Sequence, residues 1–234
     1  MNTTSLLLST AVFIAVTHTL IGIDHYVPFV VLSKVNHWSI RKTMIIVLVC
    51  GLGHVLSSVI LGLIGIVLSQ SVNSLVHIES IRGSLATSFM IGFGLIYTAW
   101  ALTQLYRNAP HTHLVNGEKI IHDHHHPQDG DLHHQANPKQ ATNTIWGLFI
   151  LFVLGPCEPL IPLLMFPAAT ENTMALFSVT LAFSLTTIIT MMGMTLIGVK
   201  GLHRIKLDGI EKYSHVLAGA AITLCGVMIL TLGL

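Results

Sequence analysis

Six long apolar stretches constrain the fold of this chain more than any other feature of its sequence. Each has about 20 residues or more, the length that an α-helix needs to cross a hydrocarbon core of ~30 Å. They cover residues 6–32, 44–68, 84–106, 144–166, 174–199 and 215–234. With 52% hydrophobic and 9% charged residues, the chain is also far more apolar than an ordinary soluble domain. The sequence therefore predicts an all-α, polytopic membrane protein with six transmembrane helices.

The positive charges predict an orientation for these helices. Ten of the eleven Lys and Arg residues follow helix 1, 3 or 5, and Arg82 alone lies in the opposite set of loops. Short cytoplasmic loops are enriched in Lys and Arg, so we expect both termini outside, in a bacterial inner or plasma membrane. The first stretch has no preceding Lys or Arg and no evident cleavage site, so we expect it to remain as a helix.

A polar segment, residues 107–143, separates the two groups of three helices, residues 1–106 and 144–234. It contains eight of the fifteen histidines and lacks apolar periodicity, which predicts a disordered cytoplasmic loop. These histidines are His111, His113, His122, His124, His125, His126, His133 and His134. We favour a metal-collecting or sensing role over that of a passive linker.

The two groups of helices share a local pattern. In helix 1, Gly22 precedes Asp24 and Pro28, and in helix 4, Gly155 precedes Glu158 and Pro162. Three helices per half place the second half in the membrane in the opposite sense, as an inverted repeat requires. Gly and Pro interrupt helices, and a freed backbone group in a membrane must face protein or a water-filled cavity. We therefore expect two inverted three-helix repeats with a binding site near the membrane midplane.

Ionisable side chains within the predicted helices supply the candidate site. Asp24 and Glu158 are the only two carboxylates deep in the predicted spans, and His18, His25 and His54 are also within them. Such groups are rare in a membrane because each is costly to insert. Imidazole with carboxylate suits nickel, cobalt and zinc. We predict a transition-metal site formed by Asp24, His25 and His54, then His18 and Glu158, with Cys157 as a weaker sixth ligand.

The spacing within helix 1 leaves two arrangements open. In a straight helix His18 and His25 lie on nearly the same face but ~10.5 Å apart along the axis, whereas metal–nitrogen bonds are ~2 Å. Either the helix unwinds at Gly22 and brings the two rings together, or the ion moves between two stations.

The sequence His18-x5-Asp24-His25 resembles the signature of the nickel/cobalt transporter superfamily, including its efflux branch and the transmembrane relatives of urease accessory proteins. The six-helix layout and the His-rich loop are similar as well. The family signature has four residues between the His and the Asp-His pair, where this chain has five. The resemblance implies transport of a divalent metal ion with Asp24, His25 and His54 near its path. We expect alternating access, with proton exchange as one driving force.

The stretch Gly155-Pro-Cys157-Glu158-Pro-Leu-Ile-Pro162 resembles a second family, the thiol-transferring membrane proteins related to cytochrome c biogenesis factors. These proteins share a three-plus-three architecture and exchange electrons through a cysteine in each half. The alternatives to metal transport are therefore a thiol-redox carrier using Cys157, for which Cys50 would have to approach it, and a metal-binding sensor or accessory protein.

Several expectations concern activity and partners. The sequence has no hydrolytic constellation and no Walker-type phosphate loop, so we expect no enzymatic activity and no prosthetic group. The metal ion, nickel, cobalt or zinc, is expected as substrate. The expected partner is the lipid bilayer, with no nucleic acid, and homo-oligomerisation stays open. Small residues at 92–94 and 218–220 predict close helix packing.

Overall fold

The described part of the chain consists mainly of helices, with one pair of short antiparallel strands. A computed structural model describes residues 3–68, 71–107, 111–115, 118–122, 138–157, 159–169, 173–204 and 213–232. The α-helices are α1 (Thr3–Ile21), α2 (Val27–Val35), α3 (Ile40–Val67), α4 (Val72–Arg107), α5 (Pro138–Leu154), α6 (Leu160–Ala169), α7 (Thr173–Arg204) and α8 (Ser214–Leu232).

Five of these helices, α1, α3, α4, α7 and α8, are long and apolar enough to cross a membrane. Side chains such as Phe13, Ile96 and Ile189 are more than half exposed, which gives these helices an apolar outer surface suited to lipid. The prediction of an all-α, polytopic membrane protein is confirmed. The fourth predicted span, residues 144–166, is not one helix, because it is divided between α5 and α6.

The first predicted span is divided too, at Gly22. Helix α1 closes with a hydrogen bond from the Gly22 N–H to the His18 carbonyl oxygen, at 2.9 Å. Gly22 then turns extended (φ −70°, ψ 90°), and a single 3₁₀ turn, Ile23–His25, leads into α2. Pro28 lies in the first turn of α2, where its missing N–H costs no helical hydrogen bond. Helix 1 of the sequence prediction is thus two helices joined by a polar turn.

The division between α5 and α6 has the same cause. The Gly155 N–H donates to the Leu151 carbonyl oxygen at 2.9 Å and ends α5. Pro156 follows and has no N–H with which to continue the helix. Helix α6 starts after the Leu160 N–H donates to the Cys157 carbonyl oxygen at 3.0 Å. Both interruptions fall where the Gly and Pro pattern predicts them.

Two hydrophobic clusters form the interior. The larger joins α2, α3, α4, α5, α7 and α8 around Phe29, Val47, Phe152 and Ile222. The smaller joins α1, α6 and α7 around Ala15, Leu160 and Phe183. In the helix pairing, α4 packs along α8, α1 along α7, and α3 against both α5 and α7.

Two boundaries differ from the sequence prediction. Helix α4 begins at Val72, whereas the third span was predicted to begin at residue 84. In the segment predicted to be disordered, two antiparallel strands, β1 (His111–Val115) and β2 (Glu118–His122), pair with His111 opposite His122. Helix α5 also begins inside that segment, at Pro138.

Candidate functional site

Three histidines converge at the first helix interruption. His18 lies in the last turn of α1, His25 in the 3₁₀ turn, and His54 on α3. The His25 ring lies between the other two, with centroid distances of 5.1 Å to His18 and 5.1 Å to His54. One ring nitrogen from each lies within 4.8 Å of the others. Unwinding at Gly22 has brought His18 and His25 together, which is the first of the two arrangements left open by the sequence.

Hydrogen bonds orient two of these rings. The His25 Nδ1 lies 3.0 Å from the Asp24 Oδ1 and 3.1 Å from the Gly22 carbonyl oxygen. The His54 Nδ1 lies 3.3 Å from the Phe152 carbonyl oxygen of α5. Each neighbouring oxygen accepts, so each Nδ1 carries the proton and each Nε2 presents a lone pair. The predicted residues Asp24, His25 and His54 therefore belong to one connected group.

A cavity of about 510 Å³ opens beside this group. Gly22, Asp24 and His25 line it from the first interruption, and Gly155 and Pro156 line it from the second. Residues of α3, α4 and α8 complete the wall. The two helix interruptions thus face a single cavity.

A buried ion pair supports the second interruption. The Arg82 guanidinium donates to the Glu79 Oε1 at 2.6 Å, and the Glu79 side chain is fully buried. Arg82 also donates to the carbonyl oxygens of Val153 and Gly155, at 3.0 and 3.2 Å, and to the Ser57 Oγ on α3, at 2.8 Å. One side chain of α4 therefore fixes the C-terminal end of α5 and ties it to α3.

The sequence prediction missed this ion pair. It placed Arg82 in a loop, which is wrong, because Arg82 lies within α4. The expectation that Asp24 and Glu158 are the only two carboxylates deep in the spans stays a prediction. Glu79 and Arg82 lower the local hydropathy, so the span was predicted to begin after them. Their spacing of three residues, which places opposite charges on one helix face, is the signal that identifies the pair.

Cys157 is not a member of the histidine group. It is completely buried in the smaller cluster, with Ala11 and Leu160. Cys157 is not among the described residues that line the cavity. Cys50 packs on α3 in the larger cluster, with Cys225 of α8. All three cysteines are free thiols. Glu158, the remaining predicted ligand, lies outside the described residues.

These features define a polytopic helical membrane protein with two interrupted helices, a cavity where the interruptions meet, and a buried thiol at the second. The model of the family described as the cytochrome c biogenesis protein transmembrane region matches residues 27–232. The chain belongs to this family. No curated protein and no solved structure is similar enough to count as a match.

The family match overturns the main functional prediction. The predicted membership of the nickel/cobalt transporter superfamily is wrong. The predicted function, transport of a divalent metal ion such as nickel or cobalt, is wrong as well. That resemblance depended on His18, Asp24 and His25, which precede the matched region and depart from the transporter signature by one residue. The resemblance carried by the stretch around Cys157 is the one that the match supports.

Proposed function

We propose that the chain is a membrane thiol-redox carrier that serves cytochrome c biogenesis, with Cys157 as the thiol that exchanges disulfides. The observation that carries this proposal is the family match over nearly the whole chain. The position of Cys157 supports it, because this thiol directly follows the Gly155-Pro156 interruption. At a helix interruption, a membrane protein can alter its backbone conformation without breaking the hydrogen bonds of a regular helix.

The same proposal includes an architecture of six spans in two inverted repeats. In it, α1 with α2 corresponds to α5 with α6, α3 corresponds to α7, and α4 corresponds to α8. The helix pairing supports this correspondence. Helix α1 packs on α7, and its counterpart α5 packs on α3, the counterpart of α7. The corresponding helices α3 and α7 also pack on each other, as do α4 and α8. The orientation with both termini outside follows from the distribution of Lys and Arg.

In the proposed reaction, Cys157 and Cys50 carry two electrons between them. The Cys157 thiolate attacks a disulfide of a partner protein, which forms a mixed disulfide and releases one partner thiolate. The Cys50 thiolate then attacks the Cys157 sulfur, forms a Cys157–Cys50 disulfide and releases the second partner thiolate. The partner disulfide is reduced by two electrons and takes up two protons. A dithiol protein on the other side of the membrane reverses these steps and restores both thiols.

The burial of both thiols determines what this reaction needs. Cys157 is 0% exposed and Cys50 is 1% exposed, and they lie in different hydrophobic clusters. A buried thiol is unreactive until it reaches its partner, so the exchange requires movement of the segment between α5 and α6. Residues 155–157 are in no helix, so they can move without breaking a regular helix.

The test compares three cysteines. We would measure c-type cytochrome content in host cells that lack the gene and carry wild type, Cys157→Ser, Cys50→Ser or Cys225→Ser. We expect the first two variants to lose c-type cytochromes and Cys225→Ser, a matched control that is also buried, to retain them. In the purified protein, titration with oxidised and reduced dithiothreitol followed by thiol alkylation should reveal one disulfide joining Cys157 to Cys50.

Two results would contradict the proposal. One is normal cytochrome content with Cys157→Ser in cells that make the protein at wild-type levels. The other is a purified protein in which Cys157 stays reduced at every ratio of oxidised to reduced dithiothreitol. Asp24→Asn provides a separate reference, since it lies in the histidine group and should leave the thiol reaction intact.

A further inference from the structure

The histidine group has a chemistry that thiol exchange does not use. We propose that His18, His25 and His54 bind one divalent ion of the late first-row transition metals through their Nε2 atoms. Three imidazole nitrogens suit zinc, copper, nickel and cobalt, whereas magnesium and calcium prefer oxygen ligands. This inference does not depend on the thiol-redox proposal, because the three rings form a group to which Cys157 does not belong.

The free ring nitrogens carry the argument. The His18, His25 and His54 Nε2 atoms are all buried, and none has a hydrogen-bond partner in the part of the chain that the structure describes. The side chains of His25 and His54 are nearly inaccessible, since each residue is 3% exposed. Their protons are on Nδ1, as the acceptors around them require, so two lone pairs are directed into a buried space with no donor. Such acceptors cost free energy unless a hydrogen-bond donor or a cation satisfies them, and three of them converging on one point suit a cation.

The contacts behind the rings are those of metal ligands. A histidine that binds a metal usually donates its second ring N–H to a carboxylate or a backbone carbonyl, which fixes the tautomer and the ring orientation. His25 does the first with Asp24, and His54 does the second with Phe152. Asp24 keeps 30% of its side chain exposed, so its charge stays partly solvated. We assign Asp24 as a positioning residue.

The distances require a small closure. Tetrahedral coordination with metal–nitrogen bonds of 2.0–2.1 Å places the donor atoms about 3.4 Å apart. One ring nitrogen of each histidine lies within 4.8 Å of the others, so donor atoms at that separation must approach by about 1.4 Å. His25 lies in a 3₁₀ turn between two helices, and a small change there moves its ring. The cavity beside the rings leaves the fourth coordination position open.

The chief rival is a shared proton. One protonated imidazole could donate to its neighbours and satisfy the same lone pairs without a metal. The two occupants differ in what they predict for cobalt. A three-histidine site with an open fourth position gives Co²⁺ a four-coordinate visible spectrum, and a site built only for a proton does not bind Co²⁺ stoichiometrically.

The experiment uses the full-length protein in lipid nanodiscs. To remove background binding, all eight loop histidines between residues 111 and 134 are replaced by Asn. The protein is stripped with a chelator and titrated with Co²⁺. We expect one Co²⁺ per chain with a four-coordinate spectrum, displaced by an equimolar amount of Zn²⁺. Zinc-edge X-ray absorption of the displaced sample should show three imidazole ligands.

Matched variants separate ligands from other histidines. His25→Gln and His54→Gln should each abolish stoichiometric Co²⁺ binding, and His77→Gln, an exposed histidine on α4, should leave it unchanged. Asp24→Asn should weaken Co²⁺ affinity about 10- to 100-fold. Circular dichroism and gel filtration establish that each variant is folded. The proposal is overturned if folded wild type binds no Co²⁺, or if folded His25→Gln binds it as wild type does.

Discussion

The contact between α4 and α8 makes the sharpest stability prediction, at Gly94. A Cβ added there would lie 2.6 Å from the Thr223 backbone nitrogen and 3.0 Å from the Gly219 carbonyl oxygen, both on α8. The relation is reciprocal, because a Cβ at Gly219 would lie 3.0 Å from the Gly94 carbonyl oxygen. These are backbone atoms that no rotamer change can move. Gly92, two residues earlier on α4, has nothing within 4 Å of its Cβ position.

The magnitude follows from these distances. Carbon contacts are optimal at about 3.5–4.0 Å, so Gly94→Ala must separate α4 from α8 by about 1 Å. A gap of that size removes about a quarter to a half of the van der Waals attraction at each contact between α4 and α8. Overpacking of this kind typically costs about 1–3 kcal/mol. Both Gly94→Ala and Gly92→Ala gain the same helix propensity, about 1 kcal/mol. We therefore expect Gly94→Ala to be less stable than Gly92→Ala by about 1–3 kcal/mol.

The assay is reversible unfolding in mixed detergent micelles with increasing dodecyl sulfate. Tryptophan fluorescence reports the transition, since Trp100 lies on α4 and packs against the larger cluster. The free energy of unfolding would be compared between the two alanine variants, so that the helix propensity cancels. If the two values agree within about 0.5 kcal/mol, the size of an ordinary surface substitution, the close approach of α4 to α8 is refuted.

Three further predictions concern the interruptions and the interior. Arg82→Met leaves the Glu79 carboxylate buried without its guanidinium and should lower the free energy of unfolding by about 3–5 kcal/mol, and a loss below 1 kcal/mol in the same micelle assay would contradict this. Gly22→Ala places a Cβ 2.5 Å from the His25 Nδ1 and should weaken Co²⁺ binding about 10- to 100-fold, so unchanged titration of the nanodisc protein would argue against it. Ser33→Ala removes a buried hydroxyl pair of 2.8 Å between α2 and α3 and should cost about 1 kcal/mol, measured by the unfolding midpoint, with an unchanged midpoint as the opposing result.

Much of the fold was predictable because membrane burial imposes a strong pattern. The apolar stretches locate the helices, and the Gly and Pro positions locate both interruptions. The start of α4 was not predictable from hydropathy, because Glu79 and Arg82 each lower the local hydropathy although their charges pair on one face of the helix. Nor could the sequence distinguish Gly92 from Gly94. Both are small residues on one helix, and only the position of α8 separates them.

The candidate site was predictable in its residues and not in its geometry. Burial cost identifies Asp24, His25 and His54 from the sequence alone, and the structure places them in one group. Whether His18 joins them depends on how far the chain unwinds after Ile21, which residue spacing does not determine. Function was less predictable still, because a short motif of histidines and a carboxylate occurs in more than one kind of membrane protein. The match that assigns the family covers a region that begins only at residue 27.

The bonds that cross between the halves also affect how the chain is made. Arg82 reaches the carbonyl oxygens of residues 71 and 73 positions later, and the His54 ring reaches one 98 positions later. At about 5–20 residues per second, synthesis of 71 residues takes roughly 4–14 s. During that interval α1 to α4 hold a guanidinium and an imidazole that lack their partners from α5. Lipid offers such groups no partner, so the nascent first half needs a protected environment at the site of insertion until α5 emerges.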